Sequence, residues 1–189
     1  MAEQADRTRG GVRLRWVALL VFAVGFGYVE AAVVHYLRRI IGFESGYHLG
    51  TGKVYLDLGF IMFVSPERSV LVDPGLVGVE TAREAATLVM LLAIAVVAGG
   101  TVRRRVAGFF VAFTVWDLTY YLFLRVLDGW PPSLASLDVY FLIPVTWVGP
   151  VATPVLASSV VLVLASWAYL TEPRAPRSAR THRRTREHE

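Results

Sequence analysis

The stretch that decides the fold is VETAREAATLVMLLAIAVVAGG, residues 79–100. Its first two turns carry charge, and everything after Thr87 is apolar until the glycine pair that ends it. At helical spacing Glu80, Glu84, Thr87 and Leu91 share one face, with Arg83 beside the two carboxylates. Ionisable groups where a helix enters lipid are costly unless they face a protein interior, a partner charge or water. This face is therefore where function is to be sought.

Working outward, the 189 residues are 55% hydrophobic, and the apolar residues are blocked into runs. Four runs approach the roughly 20 residues needed to cross a bilayer. They cover about 16–37, 76–99, 106–127 and 141–170. The expected fold is all-α, a four-helix transmembrane bundle spanning 16–170. A partly ordered extracytoplasmic loop, 38–75, joins helices 1 and 2. A basic cytoplasmic arm, 1–15, precedes the bundle, and a disordered basic tail, 171–189, follows it.

Arg7, Arg9, Arg13 and Arg15 lie before the first span, Arg103 to Arg105 lie between the second and third, and six arginines follow the fourth. The positive-inside rule then puts both termini in the cytoplasm and makes the chain integral to the membrane. Trp16, Trp167 and Tyr169 are expected at the inner interface, Tyr36 and Trp130 at the outer one. The first apolar run exceeds the about 7–15 residues of a signal-peptide core, so it reads as a retained anchor. The bilayer is the main partner, and the basic tails suit anionic lipid head groups. Nucleic acid is not expected, because basic residues concentrate in tails without aromatic interleaving.

Several chemistries are excluded by composition. There is no cysteine, and Lys53 is the only lysine, so thiol chemistry and lysine chemistry within the spans both fall away. Gly50-Thr51-Gly52-Lys53 lacks the first glycine and the final Ser or Thr of a phosphate loop. Neither H-E-x-x-H nor G-x-S-x-G occurs. The sequence names no cofactor.

Between the spans, Val54 to Val64 is too short to cross lipid and should lie at the interface or on the bundle mouth. Ile61 to Val64 and Ser69 to Val72 flank a proline turn and read as a hairpin. Asp73-Pro74 reads as a helix start, with Asp73 as cap. Gly25 and Gly27 permit close helix approach in the first span. FLIPVTWVGPVATPV, residues 141–155, opens the fourth span, and Pro144, Pro150 and Pro154 should kink or break it.

Depth along the four spans puts the polar candidates in one half of the bundle: Glu30, His35, Glu80, Arg83, Glu84, Asp117, Tyr120, Tyr121 and Arg125, with Trp147 at the same level. Asp117 should reach Tyr120 and Tyr121 along its own helix. A polar, outward-facing seam that binds a small ligand, ion or proton is the leading expectation. One rival is a structural or accessory subunit whose buried charges form an ion-pair lock. Another is a carboxylate-rich metal centre on Glu30, Glu84, Asp117 and His35. That centre lacks the Glu-x-x-His spacing of di-iron bundles. A transport pathway through only four helices requires a homo-oligomer or a partner membrane subunit.

The segments ETAREAATLVML (80–91), WDLTYYLFL (116–124), GWPPSL (129–134) and FLIPVTWVGPVATPV (141–155) together resemble a family of small four-span bacterial integral membrane proteins with no established activity. The resemblance runs from the first span to the fourth. It implies a bacterial membrane location and assigns no residue a role.

Overall fold

The longest buried face belongs to the helix α3 (Val102–Asp128), and the rest of the chain is arranged on it. Thr101 caps its start by accepting the Arg104 backbone N–H at 3.2 Å. Gly129, in the left-handed region at φ 68°, ends it and donates its N–H to the Arg125 carbonyl. Helices α1 (Ala2–Ile41), α2 (Pro74–Ala98) and α4 (Ala152–Leu170) each pack on α3. The computed structural model describes residues 2–42, 46–47, 53–65 and 74–171. The expected tail and the Ser69 to Val72 strand lie outside these residues, as do the Asp73 cap and much of the 38–75 loop.

Among the described residues, four helices are long and apolar enough to cross a membrane. Their outer faces are apolar and open: Val21, Val97, Val126 and Val163 are all more than 65% exposed. Water would tolerate such continuous apolar faces poorly, whereas lipid suits them. In the most apolar stretch of α2 and of α4 only 17% of positions are buried, against 44% in α3. That difference makes α3 the internal helix.

The arm placed at 1–15 is helical from Ala2 onward and continues into α1. It contains no proline and is rich in Ala, Gln, Glu and Arg, which extend a helix already nucleated by the span. Of Gly25 and Gly27, only Gly27 makes a close approach. A Cβ there would lie 2.8 Å from the Trp116 carbonyl and collide with the Thr119 side chain, whereas Gly25 faces open space.

The all-α expectation needs one correction, because a four-stranded antiparallel sheet covers one end of the helices. Its strands are β1 (Val54–Asp57), β2 (Met62–Val64), β3 (Leu137–Phe141) and β4 (Thr146–Pro150), in the order β1-β2-β4-β3. The expected broken helix at 141–150 is instead the end of β3, a turn and β4, and α4 starts only at Ala152. Two prolines within ten residues deny a helix its backbone donors, while Val145, Thr146 and Val148 suit a pleated surface. Of the hairpin expected at 61–72 only the first strand is described: β2 pairs with β1 on its N-terminal side, Met62 opposite Asp57. Val64, Val148 and Tyr47 form a small separate core inside the sheet.

Candidate functional site

The pole opposite the sheet is closed by side chains bonded to main chain. Arg105 Nε donates to the Gly99 carbonyl at 3.1 Å, and Arg104 Nε donates to that of Tyr169 at 3.3 Å. Tyr169, expected at the membrane interface, is fully buried and donates to the Ala98 carbonyl at 2.9 Å. Trp16 Nε1 donates to Ser166 Oγ at 3.3 Å, tying α1 to α4.

Under the sheet the packing opens into a cavity of about 280 Å3, lined by all four helices and by β3 and β4. Eight of the ten sequence candidates line it: Glu30, Glu80, Arg83, Glu84, Asp117, Tyr120, Tyr121 and Trp147. The other two do not. His35 Nδ1 lies 2.5 Å from Asp128 Oδ1. Arg125 turns back to the Gly129 and Pro131 carbonyls, closing the C-terminus of its own helix.

The charges inside fall into two sets. Arg83 from α2 is bound by Glu30 of α1 and, at 2.7 Å, by Glu80 one turn before it. Both carboxylates are buried, at 8% and 7% exposure. Arg38 donates to Asp128 at 2.9 Å and lies 4.8 Å over the Trp130 ring, which makes Trp130 a buried platform rather than an interface anchor. These are ion-pair locks between helices.

The second set has only neutral partners. Glu84 Oε2 accepts the Leu142 backbone N–H at 2.8 Å, from the turn between β3 and β4. Asp117 Oδ2 accepts the Ser158 hydroxyl at 2.7 Å, joining α3 to α4 and displacing the expected contact with Tyr120 and Tyr121. Asp138 Oδ2 accepts the Tyr121 hydroxyl at 2.9 Å. Asp138 is the acid that sequence reading missed as a site residue, because it sits in a loop-like stretch that folds as β3. Burial pushes its carboxyl up to about 7, against the opposing pull of the Tyr121 hydrogen bond and the Arg38 charge. Tyr140, whose hydroxyl donates to the Pro150 carbonyl at 2.6 Å, is pushed up to about 12, again by burial.

Aromatic rings form one wall. Phe113, Trp116 and Phe141 lie within 6.4 Å of one another by ring centroid, and Trp147 stands 6.3 Å from Phe141. Three buried N–H groups of lining residues have no hydrogen-bond partner among the described residues: Arg38 Nε, Trp116 Nε1 and Trp147 Nε1. A buried donor left unmatched costs about 1–3 kcal/mol, so three around one cavity are a costly arrangement for a purely structural core.

The four carboxylate and histidine candidates for a metal are dispersed among these partners. Among the described residues, no group of three or more His, Asp and Glu comes together that could hold an ion.

No protein-family profile, curated protein or solved structure matches this chain. What the cavity does is therefore argued from its own chemistry.

Proposed function

We propose that this chain is an integral protein of a bacterial cytoplasmic membrane whose helices form a four-helix bundle and whose sheet-covered cavity binds a small ligand. The arginine-rich pole faces the cytoplasm with both termini, and the cavity opens toward the outside. The observation that carries the reading is the gathering in one cavity of three carboxylates, Glu84, Asp117 and Asp138, whose hydrogen bonds among the described residues come only from neutral donors. A bundle built only for stability pairs its buried charges, as Arg83 and Arg38 do here. Glu84, Asp117 and Asp138 depart from that pattern, and their cavity approaches the about 300–1,000 Å3 typical of ligand pockets.

Arg83 favours the rival reading of an ion-pair lock for its own cluster. The two readings divide the residues between them. The lock holds α1 to α2 at the rim, and the site lies beyond it toward β3 and β4.

The test is thermal unfolding of the detergent-purified protein against a panel of neutral aromatic alcohols and amides, beside Thr87→Phe. Thr87 is buried and lines the cavity, so a ring there occupies the space. Stabilisation of the parent by members of the panel, absent in Thr87→Phe, is the expected result. Equal responses in both proteins, or none in the parent, would remove the ligand-site reading and leave the lock.

A further inference from the structure

The geometry points to an amphipathic organic cation as the ligand: a compact ammonium group on an aromatic or alkyl body. This inference rests on the ligand-site reading above and adds the sign of the charge.

The charge balance decides the sign. Five carboxylates line the cavity, Glu30, Glu80, Glu84, Asp117 and Asp138, against the two guanidinium groups of Arg38 and Arg83. Arg83 is already bound by two carboxylates and Arg38 by a third, Asp128. Among the described residues, an arriving anion would find no lining cation without a carboxylate of its own. A cation would meet Glu84 and Asp117, whose bonds to Leu142 and Ser158 leave further acceptor capacity, and beside them Asp138, which faces it as a carboxylate once its proton is lost.

The walls decide that the cation is organic. The faces of Phe113, Trp116, Phe141 and Trp147 attract positive charge through their ring quadrupoles and at the same time bury apolar groups. A bare divalent ion instead requires several oxygen ligands converging on one point, which the described residues do not supply.

The experiment uses three probes of similar shape, 2-phenylethylammonium, 2-phenylethanol and phenylacetate, titrated against the full-length protein in detergent with tryptophan fluorescence as readout. The ammonium is expected to bind about tenfold tighter than the alcohol, with phenylacetate weakest. In Glu84→Gln and Asp117→Asn the preference for the ammonium should collapse toward that of the alcohol. The two substitutions sit on different helices, so if one fails to fold the other carries the test. Equal or tighter binding of the alcohol or of phenylacetate in the parent would overturn the cation and leave the cavity reading standing. No fluorescence response to any probe in the parent would overturn the cation inference. The neutral panel and Thr87→Phe then judge the cavity separately.

Discussion

The two poles of this molecule use similar residues to opposite ends. At the arginine-rich pole Arg104, Arg105, Tyr169 and Trp16 each find a partner, and three of the four bond directly to main chain. Leu19 and Tyr169 are buried there to 1% or less around Gly108, with no room to spare. At the sheet-covered pole, among the described residues, two indoles and one guanidinium keep an N–H without a partner, beside three carboxylates that no guanidinium bonds. One chain thus satisfies its buried polar groups at one end and leaves them unsatisfied at the other. Folding alone does not select such an asymmetry, because each unmatched donor works against stability. The ligand site proposed above accounts for it.

The comparison can be broken most forcefully at Arg83, the cation on which the rim depends. Arg83→Met leaves Glu30 and Glu80 buried together without their counter-ion. A loss of about 3–5 kcal/mol is expected, read as a large fall in the unfolding temperature. Adding Glu30→Gln and Glu80→Gln should restore much of it. If Arg83→Met were as stable as the parent, the rim would not be a lock. Gly27→Ala comes next, because its methyl would press on the Trp116 carbonyl, on the helix that both poles share. Overpacking of this kind costs about 1–3 kcal/mol. It should reduce stability and disturb the aromatic wall together, visible as a shifted tryptophan emission maximum.

A third test sharpens the comparison through pH. Asp138 faces the Tyr121 hydroxyl and Asp117 from α3, Arg38 from α1, and Tyr140 on its own strand. Its folded carboxyl titrates at about 7, above the ordinary carboxylate range of the unfolded chain. Between those two values the folded state holds the proton and the unfolded state does not. Stability from this group is therefore complete in acid and is lost as pH rises to about 7, with a slope of at most about 1.4 kcal/mol per unit. In Asp138→Asn this component of the pH dependence should vanish. An unchanged profile would mean that Asp138 is ionised throughout.

The parts of the structure legible in sequence are those set by long periodicity. Four apolar runs near bilayer length give four helices, and the charged face of 79–91 does bring Glu80, Arg83 and Glu84 to one cavity, because helical spacing alone dictates it. What escaped reading depends on pairing between distant segments. Residues 141–150 become strand only because β2, some eighty residues earlier in sequence, supplies a partner for Thr146 to Val148. Periodicity alone does not reveal that strand, so it does not mark Asp138 as a residue of the cavity. His35 and Arg125 had the right depth but the wrong azimuth. Depth follows from counting along a helix, whereas the direction of a side chain follows from which neighbours the helix meets.

The smallest expected effect is also the most direct comparison, since it removes the same atom at each pole. Tyr169→Phe takes away a buried hydroxyl whose only role is to bond the Ala98 carbonyl, at a cost of about 0.5–1.5 kcal/mol and with no change in pH profile. Tyr121→Phe takes away the hydroxyl that bonds Asp138 and opposes the rise of its carboxyl. Its loss should move the Asp138 titration higher, so that the pH-dependent fall in stability extends further into the alkaline range. At one pole a hydroxyl holds the fold, and at the other it tunes a carboxylate facing open space. If both variants merely lost similar stability with parallel pH profiles, the two poles would be alike in kind.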